Sequence, residues 1–312
     1  MTITAYSSTR PLRIGTRRSP LALAQAEMAA ATIRSAHGLA EDAVVLVPML
    51  ATGDIIQDRP LADIGGKALW TKELERALID DIIDIGVHSM KDVETVRPDI
   101  FTISAMLPRA DVRDRLIGAV SVEALPQGAR VGTSSPRRTA QMLQLRPDLQ
   151  IVPLRGNVAT RLARIEDGEA DATLLAAAGL DRLGMREVGY AIAVEQMLPA
   201  ASQGAVGIDR LSVREDLAPL LDAINHAPTF TAVMSERAFL EALGGNCHSP
   251  VAALAVVDGD MINLSVQIYN ADGSHMQAGY IHYPIGDDLA PSLLATDRLA
   301  DAHASISALF NP

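Results

Sequence analysis

One short pattern occurs twice in this chain. Arg-Ile-Gly-Thr stands at 13–16 and Arg-Val-Gly-Thr at 130–133, and each is followed by a Ser-Pro pair, Ser19-Pro20 and Ser135-Pro136. An apolar stretch that ends in Gly-Thr reads as a short buried strand. A serine before proline supplies a helix N-cap and a proline at the first helical position. Each copy therefore predicts strand, tight turn and helix, once in each of two α/β domains. In such a sheet the turn lies at the carboxyl end of the strand, where ligands bind. The helix N-terminus there favours an anion.

Charge placement sharpens this. The formal net charge is −11, which argues against a general nucleic-acid binder. The deficit is uneven: residues 1–190 carry 23 basic and 24 acidic side chains, and residues 191–312 carry 4 and 14. Only Lys67, Lys72 and Lys91 are lysines, so nearly all the cations are arginines, the side chain suited to bidentate recognition of carboxylate or phosphate. At 312 residues the chain is long enough for two or three domains. No apolar run approaches a membrane span, and the start, MTITAYSSTRPLR, lacks the apolar block of a secretory signal. A single cysteine rules out an internal disulfide and fits a reducing compartment. A cytoplasmic location without membrane or nucleic-acid partners is expected.

Read in order, strands are expected at 12–16, 43–50, 84–88, 100–106, 130–133, 150–154, 172–177 and 203–209. Helices are expected after Ser19, Thr71, Ser135 and Asn157. The segment 51–70 is too long for a simple connector and holds Gly65-Gly66-Lys67; its glycines are too closely spaced for a P-loop, so it reads as a lid. The strand at 84–88 runs straight into His88-Ser89-Met90-Lys91-Asp92, which has the look of a site. Arg17, Arg18, Arg137, Arg138, Arg155 and, one turn further in, Arg161 recur at strand-to-helix junctions, and Arg182 follows the strand at 172–177. Such an edge predicts a cleft of strong positive potential. Beyond a helix at 228–243, alternating strands with turns at Asp258-Gly259 and Asp272-Gly273 predict an antiparallel meander, closed by one helix over about 290–309.

Cys247 sits in Leu243–Pro250 (LGGNCHSP). A lone cysteine is commonly a buried, inert hydrophobe. Against that, Gly244 and Gly245 suit a tight turn, and Asn246 and His248 flank the thiol with polar groups. A thiol hydrolase needs a histidine within reach of the sulfur, and adjacent His248 makes an awkward dyad, leaving His88 open. No metal-ligand spacing is present. A two-lobed polycarboxylate-binding protein without catalysis accounts for the arginines but not for the cysteine.

RIGTRRSPLAL, GGKALWTKELE, GVHSMKDVE, VGTSSPRR, LRGNVATRL, LAAAGLDRLG and QGAVGID, together with LGGNCHSP, closely resemble the porphobilinogen deaminase (hydroxymethylbilane synthase) family, in order from about residue 12 to 250. The resemblance implies an α/β fold of three domains. The first two would be type II periplasmic-binding-protein-like with mixed sheets, and the third a small α+β domain with an antiparallel sheet. The expected boundaries are 1–108 with 204–225, then 109–203, then 226–312. It implies one dipyrromethane cofactor per chain, joined covalently through Cys247, and porphobilinogen as substrate. Four units would be condensed in turn with loss of ammonia, and the linear tetrapyrrole then released by hydrolysis. Carried over by motif, Asp92 and Lys91 are the catalytic residues and also contact the cofactor. Ser135, Arg137, Arg138, Arg155 and Arg161 bind the cofactor; Arg17, Ser19, Lys67, Arg155, Arg182 and Gln203 bind substrate. No metal is implied, and a monomer is expected. Asn246, Asp63, Thr52, Trp70 and His248-Ser249 depart from the usual family pattern.

Overall fold

The computed structural model describes residues 6–50, 71–246 and 248–310. Lys67 and Cys247, and the departures at Thr52, Asp63 and Trp70, lie outside the described residues. The chain forms two compact units, one of residues 1–109 with 205–230 and the other of residues 110–204 with 231–312. Among the described residues no helix is long and apolar enough to cross a membrane.

The first unit is built on a five-stranded sheet of β1 (Leu12–Arg17), β2 (Val44–Met49), β3 (Ile85–Ser89), β4 (Phe101–Met106) and β10 (Val206–Leu211), in the order β2-β1-β3-β10-β4. β1 pairs parallel with β2 and β3, while β10 runs antiparallel between β3 and β4. The second unit repeats this plan with β5 (Asp114–Ile117), β6 (Arg130–Gly132), β7 (Gln150–Val152), β8 (Ala172–Ala176) and β9 (Tyr190–Ala191), in the order β7-β6-β8-β5-β9. Here β5 is the antiparallel strand, set between β8 and β9. Both are mixed sheets of one topology, as expected of two type II binding-protein lobes. The second unit also carries a three-stranded antiparallel sheet of β11 (Val251–Asp258), β12 (Met261–Tyr269) and β13 (Met276–Pro284). Its inward residues Ile262, Leu264, Val266 and Ile268 close a core of their own with Phe239 and Leu294.

The repeated glycine has a packing reason in both sheets. A Cβ on Gly15 would lie 2.3 Å from Ile83 Cδ1, and one on Gly132 would lie 2.7 Å from Leu154 Cδ2. Both threonines that follow are buried. Thr16 Oγ1 donates to the Ala22 carbonyl, and Thr133 Oγ1 accepts from Ser135 N. Each copy then starts its helix as expected, Pro20–His37 behind Ser19 and Pro136–Leu145 behind Ser135. The first stops at Gly38 in the left-handed conformation, where glycine carries no Cβ penalty.

Several expectations need correction. Strands β5 and β9 have no apolar period long enough to announce them; β5 is Asp-Arg-Leu-Ile and β9 has two residues. Thr71 precedes the helix Lys72–Ile79, but its side chain makes no capping bond. The single helix expected over 290–309 is two, Ala290–Ala300 and Ala304–Ser307. His303 restarts the second by accepting a side-chain bond from Ser305 N at 3.2 Å, so the break is a capping event.

Gly86 in β3 shows how tightly the first sheet is packed. A Cβ there would lie 2.4 Å from Asp209 Oδ1 and 3.0 Å from His88 Nε2, two buried side chains 3.0 Å apart that cannot step aside into solvent. Gly86→Ala is expected to lower the unfolding free energy by about 1–3 kcal/mol, as overpacking of a dense core does. Urea unfolding of wild type and variant measures it, and equal midpoints would contradict the packing described.

Candidate functional site

In the first unit the carboxyl ends of β1 and β3 lie side by side, and a small cavity opens there. Its wall includes Arg17, Ser19, Gln25, His88, Ser89 and Asp92. Arg17 ends β1 and is half-buried. Ser19 is spent in part on the fold, its hydroxyl accepting from Ala22 N at 3.3 Å. Asp92 closes a 3-10 turn, Met90–Asp92, directly after β3. Met90 anchors that turn: it is fully buried, its N–H donates to the Ala205 carbonyl, and its sulfur fills the space that a Cβ on Gly207 would take. Lys91 and Asp92 are left half-exposed beside it.

Four side chains in this region escaped the sequence reading: Gln25, Glu75, Arg97 and Asp209. Gln25, one turn into the helix Pro20–His37, holds Ser89: its Nε2 lies 2.8 Å from the Ser89 hydroxyl, which also lies 3.2 Å from Oε1. Behind the cavity wall, His88 Nε2 lies 3.0 Å from Asp209 Oδ1 and Arg97 Nη1 lies 2.7 Å from Oδ2. Burial pushes the Asp209 carboxyl up, but His88 and Arg97 together outweigh it and hold the group below the usual carboxylate range. Arg97 continues to Glu75 at 3.0 Å, and its guanidinium lies over the Phe101 ring. Nothing in local sequence spacing links positions 75, 88, 97 and 209; sheet pairing does, with Asp209 opposite Gly86.

The second unit gathers the arginines. Arg155 and Arg161 flank a turn whose form depends on Gly156: its φ is +110°, and a Cβ would lie 2.7 Å from Thr160 Cγ2. Asn157 caps the next helix by accepting from Thr160 N at 2.9 Å, and Arg161 Nε donates to the Gly156 carbonyl at 3.0 Å. Partial desolvation and the positive charge of Arg155 lower the pKa of His248, which places Arg155 near the residue that follows Cys247.

Arg137 and Arg138 are not on an open rim; both are buried. Arg137 reaches Asp114 Oδ2 at 2.8 Å, Gln141 Oε1 at 2.9 Å and the Leu198 carbonyl at 3.1 Å. Arg138 reaches Asp114 Oδ1 at 2.7 Å and the Leu174 carbonyl at 2.8 Å. Ser135 caps their helix through Arg138 N. Gln203 Nε2 donates to the same Asp114 Oδ1 at 3.0 Å and to the Val112 carbonyl. Next to it, the Gly204 carbonyl accepts from Arg182 Nη2 at 2.7 Å. The antiparallel sheet seats on this helix: a Cβ on Gly273 would lie 2.1 Å from the Ala140 carbonyl oxygen, and Gln141 Nε2 lies 3.4 Å from Gln267 Oε1. Asp114 and Gln141, both missed from sequence, hold the cluster together.

These residues fit a polycarboxylate group. Among the described residues the Nε atoms of Arg137, Arg138 and Arg182 are buried without a hydrogen-bond acceptor. Burial also lowers the pKa of Arg137 and of Arg182.

Comparison with known proteins gives one answer. The family described as "Porphobilinogen deaminase, dipyromethane cofactor binding domain" matches residues 12–218, and "Porphobilinogen deaminase, C-terminal domain" matches 230–288. A porphobilinogen deaminase of Sphingopyxis alaskensis is 56% identical over 306 residues, covering 96% of this chain and 96% of the relative. One from Paracoccus denitrificans is 48% identical, covering 90% of each. Among solved structures, a TRAP periplasmic solute binding protein from Desulfovibrio salexigens is 12% identical with a TM-score of 0.40, covering 70% of this chain and 73% of that one. The fold assignment rests on strand order, not on that likeness.

Proposed function

This chain belongs to the porphobilinogen deaminase family, and from that premise we propose roles for its own residues. The protein is a transferase that condenses porphobilinogen units, with release of ammonia, on a dipyrromethane primer for tetrapyrrole synthesis. The non-catalytic binding alternative is not retained. When bound, the dipyrromethane supplies the pyrrole carbon to which substrate is added.

Asp92 is assigned as the catalytic carboxylate and Lys91 as its assistant. The observation that carries this is the cavity at the ends of β1 and β3, which sets Asp92 in one wall with Arg17 and Ser19. Loss of ammonia leaves positive charge on the substrate. A fixed carboxylate stabilises that charge as it develops and carries a proton to or from the reacting nitrogen. Each substrate brings two carboxylates, which Arg17, Ser19, Lys67, Arg155, Arg182 and Gln203 bind. Ser135, Arg137, Arg138, Arg155 and Arg161 hold those of the cofactor, and Cys247 anchors it as a thioether. Arginine suits this work because its planar donors match carboxylates two at a time.

The same reading takes residues 1–108 with 204–225 as the catalytic domain, 109–203 as the cofactor-binding domain and 226–312 as the anchoring domain. It makes the enzyme a cytoplasmic monomer; the single cysteine fits the reducing compartment. Incubation of the purified chain with porphobilinogen tests the chemistry. Four ammonia molecules per tetrapyrrole released are expected; ammonia without a linear tetrapyrrole product would contradict the stepwise condensation.

A further inference from the structure

The buried cluster of the second unit contains more cation than anion. Arg137 and Arg138 bring two guanidinium groups, and Asp114 is the carboxylate that meets both, one oxygen to each. The side chains of Arg137, Arg138 and Asp114 are only 4%, 7% and 0% exposed. Among the described residues their other hydrogen-bond partners are neutral: Gln141, Gln203 and the carbonyls of Leu174 and Leu198. Burial of an uncompensated charge is costly. A purely structural bridge would be expected to balance; this one leaves a single positive charge over.

The donors are left over as well. A guanidinium carries five N–H groups. Arg137 makes three hydrogen bonds here and Arg138 two from its side chain, and both Nε atoms are buried without an acceptor among the described residues. Asp114 uses both carboxylate oxygens, accepting from Arg137, Arg138 and Gln203 at 2.7–3.0 Å. Its place is set by the sheet, because it opens β5 opposite Ala176. The Leu174 carbonyl that orients Arg138 belongs to the neighbouring strand, β8.

We propose that Asp114 is a positioning residue for cofactor attachment. It neutralises one of the two guanidinium charges and fixes both planes, so that the remaining charge and the spare N–H groups receive one carboxylate of the dipyrromethane. The proposal rests on the reading that Arg137 and Arg138 bind the cofactor. Asp114 touches neither substrate nor cofactor in this account; it acts through the arginines. Without it, two buried cations repel each other and lose their common orientation.

The test is the intact mass of the full-length purified chain, read as the ratio of cofactor-bearing to bare protein. Asp114→Asn is expected to lower that ratio about tenfold or more relative to wild type, as loss of one charge-assisted contact set would, with circular dichroism unchanged. Asp114→Ala, purified bare and incubated with porphobilinogen, is expected to load about fivefold better in acetate than in chloride at equal ionic strength, since a small carboxylate restores the missing counter-charge. A residue that only braced the sheet would give no anion-selective recovery. Wild-type loading by folded Asp114→Asn would overturn the proposal. Arg138→Gln, measured alongside, separates the two layers. If it is impaired while Asp114→Asn is not, the positioning role alone falls; if it also loads normally, the reading of the arginines falls. Should Asp114→Asn fail to fold, Arg137→Gln, in which Asp114 balances Arg138, is compared with Arg137→Gln/Asp114→Asn, which restores one excess positive charge without the positioning carboxylate; lower loading by the double variant is expected, and equal loading of the two would overturn the proposal.

Discussion

Asp92→Asn is expected to lower kcat by about 10²–10³-fold, the range typical for loss of one preorganised electrostatic group in an enzyme site, with KM changed by no more than a few-fold. The split follows from the division of labour in the site. Substrate carboxylates are assigned to Arg17, Ser19, Lys67, Arg155, Arg182 and Gln203, none of which the substitution changes, so ground-state binding should persist. Asparagine keeps the size and position of the carboxylate on the Met90–Asp92 turn but removes the charge that opposes positive charge on the reacting substrate. It also removes the proton acceptor. Asp92→Glu restores the charge about one methylene out of place; because the turn is pinned by buried Met90, the backbone cannot retreat to compensate. Steady-state rates of porphobilinogen consumption for the three proteins decide it. A glutamate variant with near-wild-type turnover would remove the geometric role assigned to Asp92, and a large rise in KM with unchanged kcat would move Asp92 into substrate binding.

Cys247→Ser is expected to abolish cofactor attachment and with it turnover. The chain has no second cysteine to take over, and a serine hydroxyl is a far weaker nucleophile than a thiol near neutral pH. Intact mass should show wild type heavier than its sequence by two pyrrole units and the variant at bare chain mass. The variant should stay folded, because the core of the antiparallel sheet is closed by Phe239, Leu264 and Ile268 among others, none of which the substitution changes. A variant that retained the added mass would place the attachment on another residue.

The strand-turn-helix repeat was legible because it rests on short-range rules. Glycine gives way to a packed neighbour, serine caps, and proline starts the helix, each within a few residues. The turn after β3 and the arginine-bearing junctions were legible for the same reason, and the family resemblance supplied the roles proposed for them. Strands β5 and β9 were not, because an antiparallel strand of four residues or two draws its stability from its neighbours and carries no period of its own. Asp114 and Asp209 were invisible as site residues. In sequence Asp114 is one acid in Asp-Val-Arg-Asp-Arg, next to arginines it does not pair with. In the fold it meets Arg137 and Arg138, more than twenty residues away.

From sequence alone, then, came the two α/β lobes, the antiparallel third sheet, the family and the side chains proposed to carry its chemistry. These depend on local backbone preference and on motifs read in order. Tertiary structure decided what each cation faces. Arg137 and Arg138 were expected at an open edge and lie instead against a buried carboxylate, while Arg17 is left in a cavity wall with Asp92. The physical reason is that a buried charge is settled by whatever opposite charge the packing brings within about 3–4 Å. Strand order in the sheet sets that distance, and no spacing along the chain encodes it.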